Sequence, residues 1–491
     1  MHLHHSRCGT LMLALLCVLS LQLCGQHDTA LRLRMELSDT LRNSGLALPA
    51  WHRTPTRSTV AEDAEKTLTY LENHGFPFAE VRMWQPSLQH PDSVVVQIIA
   101  NPFIRWDSIV LKGDARLSPR FLYPYLKIRR GTPYREQCVT QAATALNVLP
   151  YVEMTRPPSP TFTSESAALY VYLNKKNANS FDGYVGFGSN GQGDGITLYG
   201  QMQLKLTNVL TRGEEFSVDW NRPRPDQQQL QVEGIYPCLF GTPFGLYGQF
   251  FLLKNDSTYH RVSLPIGFRH LLKGNDFIQM YYRYERSSSS STIATSGQRD
   301  CRSDMYGLRF SALRTDRIRI PHKGFHLDLS GEIGRKTEIA DGEHNTVARG
   351  SGNAEGFLPF GRRWVQYIRF QSGIILDRQL NTSDLFLLGG LHSLRGLDEQ
   401  SVTASAYTFL TGELRFFMDR DMFLQAFADG GWYERRGSGE YHRDLPVGLG
   451  IGFSFDSKAG LLSLNYAVAA HDGQGFRLRA AKVCVGYSAV F

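Results

Sequence analysis

From Ser180 to the C-terminus, apolar and polar residues alternate. Thr197-Leu198-Tyr199-Gly200-Gln201-Met202-Gln203-Leu204-Lys205-Leu206 changes character at each step, as do Glu215-Phe216-Ser217-Val218-Asp219-Trp220 and Gly324-Phe325-His326-Leu327-Asp328-Leu329-Ser330. A period of two is the mark of a strand with one face toward each of two environments. Successive segments centre near Val185, Leu204, Val218, Leu230, Gln249, Leu264, Tyr282 and Leu308, then near Leu327, Gly352, Ile368, Thr408, Phe427, Gly450, Leu464 and Lys482. Their number, about sixteen, is even. A soluble sandwich alternates too, but these segments are long and their polar face carries Gln, Lys, Asp and His. That pattern predicts a transmembrane antiparallel β-barrel with a polar lumen. Connections read as tight turns, such as Leu272–Asn275 and Asp456–Gly460, alternating with longer loops, such as Ser287–Arg302 and Arg378–Gln400. Short turns belong to the periplasmic side and long loops to the outside.

Upstream the period changes. Ala64, Leu68 and Leu71 recur at helical spacing over Ala61–His74, and Gly75 stops the run. Two extended pieces follow, Phe78–Trp84 and Val94–Ala100. The segment before Thr59, with Pro49 and Pro55, reads as a linker or weakly ordered arm, so this first unit lacks an initial strand and helix. The second unit is complete: strand Ile104–Leu111, short helix Leu117–Ile128, helix Tyr134–Val148, then strands Val152–Met154 and Ala168–Leu173.

Composition adds limits. Lys+Arg 53 against Asp+Glu 46 gives a net charge of +7 over 491 residues, without a dense basic stripe, so nucleic acid is not an expected partner. Arg7 and several histidines precede the apolar run Leu11–Leu21, which suits a signal peptide cleaved after Gly25; lipidation of Cys24 is the alternative, disfavoured by bulky Leu23. No later apolar run is long enough for a spanning helix. Cys138, Cys238, Cys301 and Cys484 are scattered, neither a disulfide framework nor a zinc spacing, and a Cys138–Cys238 bridge stays open.

One stretch fits neither strand nor turn: Leu387-Leu388-Gly389-Gly390-Leu391-His392-Ser393-Leu394-Arg395-Gly396-Leu397. Arg395 is charged at any physiological pH, and a desolvated guanidinium needs a carboxylate. Glu413 and Asp429 are the candidates. Thr411, Glu413 and Arg415 share one strand face; Gln425 and Asp429 share another, with Phe427 out of place on that polar face.

Gly75-Phe76-Pro77-Phe78-Ala79, Gly131-Thr132-Pro133-Tyr134 and Leu146-Asn147-Val148-Leu149-Pro150-Tyr151 resemble POTRA modules of the BamA/TamA outer-membrane assembly superfamily. Leu394-Arg395-Gly396-Leu397 is similar to the tip of that superfamily's sixth extracellular loop, with Leu397 where an aromatic is usual. The resemblance covers roughly residues 60–491. After the signal peptide at 1–25 and the arm at 26–59, it implies a partial POTRA-like module at 60–101, a POTRA module at 102–176 and a barrel at 178–491, with the loop at 379–400 folded into the lumen.

The implied site is a clasp of Leu394, Arg395, Gly396, Glu413 and Asp429. A second implied site is a seam between the first and last strands, with Gly183, Gly186 and Gly188 on one side. On the other side the apolar phase slips near Ala481, read as a bulge, before the terminal Phe491. The implied function is insertion and folding of β-barrel outer-membrane proteins, with POTRA capture of clients; the alternative is polypeptide translocation or secretion. Unfolded clients or a secreted partner, outer-membrane lipids and accessory lipoproteins are the implied partners. The implied location is the bacterial outer membrane with the modules in the periplasm. A passive porin would not need such modules. A hydrolase is disfavoured by the absence of a Gly-x-Ser-x-Gly elbow and a His-Glu-x-x-His helix, and His392-Ser393 reads as loop packing. No catalytic residue, cofactor or metal is expected.

Overall fold

The computed structural model describes residues 31–491 except Thr54, 87–92, Asn101, 190–195, 225–226, 256–258, 273–274, 290–298, 318–319, His392, 438–439, 458–459, Leu478, Ala480 and Phe491. The expected leader, Cys24, His392 and Phe491 therefore lie outside the described residues. The chain forms two compact units: residues 1–108, 130–137 and 161–168 in one, and 109–129, 138–160 and 169–491 in the other. These units cut through the second module rather than following the expected boundary at 101/102.

In the first unit the arm is structured from Leu31 on, where a linker over 26–59 was expected. Strand β1 (Arg32–Leu37) and helix α1 (Asp39–Asn43) precede helix α2 (Arg57–Glu72), β2 (Glu80–Trp84) and β3 (Ser93–Ile99). β1 pairs parallel with β3, with Leu33 opposite Val94, and β2 pairs antiparallel on the other side. Leu31 and Leu41 are buried with Val60, Leu71, Phe76, Val96 and Ile98, and Leu33, Leu37, Leu46, Leu48 and Trp51 pack against them. The alternation Leu31-Arg32-Leu33-Arg34-Met35-Glu36-Leu37 had carried this strand in the sequence. Beyond it the arm is fastened to α2. The Trp51 indole donates to Thr67 Oγ1 at 3.0 Å, and the His52 amide and imidazole Nδ1 each lie 2.8 Å from Asp63 Oδ2. Burial opposes ionisation of Asp63, but the hydrogen bonds from the His52 amide and ring outweigh it and hold its pKa below the ordinary value.

The second module supplies β4 (Arg105–Lys112), α3 (Pro119–Tyr125), α4 (Glu136–Asn147), β5 (Val152–Phe162) and β6 (Ser166–Lys175), with sheet order β4-β6-β5. β5 runs well past the Met154 expected from its sequence. It is an edge strand, and an edge tolerates Pro157, Pro158 and Pro160, which have no amide hydrogen to give a neighbour. In the second unit α3 and α4 meet the barrel turns. The Tyr125 hydroxyl lies 2.9 Å from the Ala145 carbonyl and 3.0 Å from Asn275 Oδ1, Asn275 Nδ2 donates to Val148 O at 3.0 Å, and Ser118 N donates to Thr211 O at 2.7 Å. No disulfide joins Cys138 to Cys238, so the bridge left open by the sequence is not formed.

The large sheet runs through β7 (Ser180–Ser189), β8 (Ile196–Thr207), β9 (Glu215–Arg224), β10 (Gln227–Tyr236), β11 (Phe244–Asn255), β12 (Tyr259–Leu271), β13 (Phe277–Ser289), β14 (Cys301–Thr315), β15 (Gly324–Glu338), β16 (His344–Phe360) and β17 (Trp364–Leu376). A small hairpin, β18 (Phe386–Leu388) and β19 (Val402–Ala404), interrupts it. It resumes with β20 (Ala406–Asp419), β21 (Met422–Gly437), β22 (Glu440–Asp444), β23 (Val447–Ser457), β24 (Gly460–Ala470) and β25 (Lys482–Val490). Neighbours are antiparallel throughout, and β25 returns to β7. Both β22 and β23 pair with β21, making one strand broken at Leu445-Pro446, where proline removes a ladder donor.

Along these strands the exposed positions are apolar. Ile266, Phe268, Met280, Leu308, Ile333, Leu410 and Ile451 are all more than half exposed, while the opposite face holds Arg309 on Asp328, Arg349 on Glu285 and Arg415 on Glu413. This is the reverse of a soluble sheet and matches an apolar surrounding with a polar lumen. No helix among the described residues is long and apolar enough to cross a membrane.

Two sequence expectations fail here. Loop length does not sort cleanly by rim: β9 and β10 are joined by two residues and β11 and β12 by three, on the rim that also carries the 377–405 loop. The apolar phase slip near Ala481 is not a bulge. β25 starts at Lys482 and its register with β24 runs unbroken from Ala467↔Lys482 to Gly460↔Ala489. The change of phase marks the entry from loop to strand, and Ala481 lies outside the strand.

Candidate functional site

Residues 377–405 leave β17 and return as β20, and two separate charge networks hold this loop. At its start, Lys336 Nζ lies 2.8 Å from Asp377 Oδ2, donates to the Gln379 carbonyl at 2.8 Å, and pairs with Asp384. Arg349 bridges Glu285 at 2.9 Å and Asp384 at 3.5 Å, and Ser287 and Ser383 hydroxyls meet at 2.6 Å. Sequence reasoning missed this network, because its members are spread over three strands and the loop and share no spacing.

The tip is organised by hydrophobic contact first. Leu394 is fully buried and Leu397 nearly so, packed with Leu388, Ala404, Phe409 and Tyr433. Gly396 has φ +97°, and a Cβ there would stand 2.8 Å from the Ala469 nitrogen. Between the two leucines Arg395 turns toward the wall. Its backbone amide donates to Asp429 Oδ2 at 3.1 Å and its Nε to the same oxygen at 2.7 Å. Nη2 donates to Asp429 Oδ1 at 2.6 Å, and Nη1 to Glu413 Oε1 at 2.6 Å. The structure thus brings Leu394, Arg395, Gly396, Glu413 and Asp429 together. Asp429 receives a two-pronged guanidinium bond, the strong geometry for this pair. Side-chain exposures of 5%, 6% and 1% for Arg395, Glu413 and Asp429 place the charges out of bulk water, so each depends on its partner.

The register explains the geometry and supplies residues that the sequence left unassigned. Glu413 stands opposite Phe427, and Thr411 opposite Asp429. Phe427, out of place on a polar face, is the floor of the site: the Arg395 guanidinium carbon lies 3.5 Å from its ring centroid. Its break in parity was the available signal. Asp429 in turn stands opposite Gly448, where a Cβ would collide with the Arg395 carbonyl. Arg415 holds the free side of Glu413, with Nε at 2.9 Å and Nη2 at 2.7 Å from Oε2, and lies over the Tyr367 ring. Ser393 accepts from the Gly389 amide at 2.7 Å and passes its carbonyl to Arg369, a structural use.

The seam residues are not brought into the clasp. Among the described residues β25 meets β7 through two residue pairs, Ala489↔Phe181 and Val490↔Ser180. Gly183 has a packing reason, since a Cβ would press within 2.6 Å of the Gln201 carbonyl on β8. Gly186 and Gly188 pair with Tyr199 and Thr197 of β8 and lie beyond the two seam pairs.

A closed antiparallel ring, apolar outside and charged within, with a long loop seated on a buried arginine, defines a β-barrel of the outer-membrane type. The Omp85 superfamily domain matches residues 208–481, more than half of the 491, and the chain belongs to that superfamily. Its members are outer-membrane β-barrels that act as assembly or translocation factors rather than enzymes.

The fold is similar to that of CdiB from Escherichia coli (TM-score 0.63, 14% identity, 100% of this chain and 93% of the other). It is also similar to CdiB from Acinetobacter baumannii (0.60, 12%, 98% and 97%). A third likeness is to BamA from Haemophilus ducreyi lacking POTRA domains 1–3 (0.51, 15%, 95% and 100%). Comparison with curated proteins returned no match.

Proposed function

We propose that the chain inserts and folds β-barrel proteins in the outer membrane. Two POTRA modules on the periplasmic side capture extended clients on their edge strands by β-augmentation, and the seam between β25 and β7 templates client strands. The observation that carries this reading is the seam's two residue pairs among the described residues, against ten between β7 and β8 and eight between β24 and β25. Unpaired strand edges invite another strand. The Arg395 clasp keeps the lumenal loop seated while the seam works. Outer-membrane lipids surround the barrel, and accessory lipoproteins are candidate partners.

If the Ala489↔Phe181 register continued along the seam, Gly186 would stand opposite Cys484. Gly186→Cys, with the other native cysteines changed to serine, is expected to form a disulfide under oxidation, which needs Cα atoms within about 7 Å. The lock should abolish client insertion, and reduction should restore it. A locked barrel with full insertion activity refutes the reading.

A second reading, polypeptide translocation through the lumen, is favoured by a cavity of about 400 Å³ beside the loop, where Gln229, Gln231, Gln249 and Gln400 stand among charges of both signs, Arg261, Arg283, Glu285, Glu332, Arg349 and Asp384. Amides offer both donors and acceptors to an extended backbone. Under that reading the locked seam leaves secretion intact.

A further inference from the structure

The turn from β24 to β25 begins His471-Asp472-Gly473-Gln474, closed by a bridge between His471 and Gln474. Asp472 at φ +50° and Gly473 at φ +70° both take the left-handed conformation of a tight hairpin turn. This brings the His471 and Asp472 side chains to the end of β22, where His442 and Asp444 stand. The ligand atoms of Asp444, His471 and Asp472 all lie within 4.8 Å of one another. His471 Nδ1 is 3.1 Å from Asp472 Oδ2, and His442 Nε2 is 3.0 Å from Asp472 Oδ1.

We propose that Asp444, His471 and Asp472 form a divalent-cation site, selective for a borderline transition ion such as Zn²⁺, on the rim that carries the Arg395 loop. A tetrahedral Zn²⁺ with bonds of 2.0–2.2 Å sets its ligand atoms about 3.4 Å apart. His471 Nδ1 and Asp472 Oδ2 stand at 3.1 Å and no pair of the three ligand atoms exceeds 4.8 Å, so small rotations of the turn side chains reach that value. One imidazole with two carboxylates suits Zn²⁺, whereas Mg²⁺ and Ca²⁺ ask for six or more oxygens. The fourth position is open to water, since His471 and Asp472 are 36% and 43% exposed. His442 acts as the outer partner: it hydrogen-bonds Asp472 and lies 3.2 Å from the Tyr433 hydroxyl, which orients the carboxylate. No sequence motif betrays the site, because its ligands come from 444 and 471–472, on different hairpins. Bound metal would tie β22 to the β24–β25 turn, two residues beyond Ala469, against which Gly396 seats. The inference stands independently of the insertion or translocation reading.

The test is isothermal titration of ZnCl₂ into the full chain in detergent, stripped of metal by chelator, beside Asp444→Asn/His471→Ala. The wild type is expected to bind one more Zn²⁺ per chain than the double variant, so that histidines elsewhere cancel. His442→Ala should keep the stoichiometry and weaken that site about tenfold or more. MgCl₂ should give no matching site. Superimposable Zn²⁺ isotherms for wild type and double variant, both showing the heat-dependent gel shift of a folded barrel, overturn the proposal. If the double variant does not fold, Asp444→Asn alone, nearly isosteric, decides: it must weaken the site at least tenfold, and an unchanged affinity overturns the proposal.

Discussion

Arg395→Ala is expected to free the loop tip while leaving the ring folded. The side chain makes three close charge-assisted bonds, two to Asp429 and one to Glu413, over the Phe427 ring. Removing it strands a carboxylate that is 1% exposed, and breaking a buried pair from one side costs roughly 3–5 kcal/mol. Glu413 is cushioned, because Arg415 still donates two bonds to it. The cost therefore falls on Asp429, and Asp429→Asn should loosen the tip more than Glu413→Gln. At about 4 kcal/mol the ratio of seated to free tip changes by roughly a thousandfold.

The sheet's hydrogen bonds do not pass through the tip, and the Lys336–Asp384 network still holds the loop's start. Hydrogen exchange in detergent is the direct assay. Amides over 389–401 should lose about three orders of magnitude of protection, while β14 and β15 keep theirs. Arg395→Lys should fall between, since an ammonium cannot fork to both carboxylates or stack as a guanidinium does. If Arg395→Ala shows wild-type exchange over 389–401 in a barrel that retains its gel shift, the clasp contributes nothing and the reasoning fails.

Lys336→Met should leave Asp377 without its cation and Asp384 with only the longer Arg349 contact, and destabilise the loop's start by roughly 3–5 kcal/mol, read as a lower urea midpoint for exposure of 377–385. Gly448→Ala puts a methyl against the Arg395 carbonyl and should cost about 1–3 kcal/mol, with the same tip-exchange signature as loss of the arginine; unchanged exchange would show that the approach is slack. In the first module the depressed pKa of Asp63 means that its contribution is full above its unfolded pKa, about 3.9, and is lost as pH falls through the lower folded value. Protection of the Trp51–His52 segment should drop in that acid window, and Asp63→Asn should remove the pH dependence there while weakening the segment at pH 7.

Much of the fold was legible because alternation is a local property. Each of the sixteen centres read from the chain falls inside a strand, and the break from period two to helical spacing separated the modules from the large sheet. The arm was missed although Leu31 to Leu37 alternates, because its prolines and the lack of a neighbouring partner suggested a linker. β1 finds its partner in β3, sixty residues on. The false bulge at Ala481 came from reading one strand through a loop-to-strand boundary.

The sequence by itself determined the kind of surface each strand presents and the charge that a loop arginine requires, since both follow from residue type and spacing. It also placed Glu413 and Asp429 on the polar faces of their strands. Only the tertiary structure decided which partners met. Antiparallel register set Phe427 beneath Arg395 and Gly448 beside its carbonyl, and loop closure brought Lys336 to Asp384 and His471 to Asp444. Those contacts join residues tens of positions apart, and the free energy that selects them comes from pairing and desolvation across strands, which no local pattern in the chain encodes.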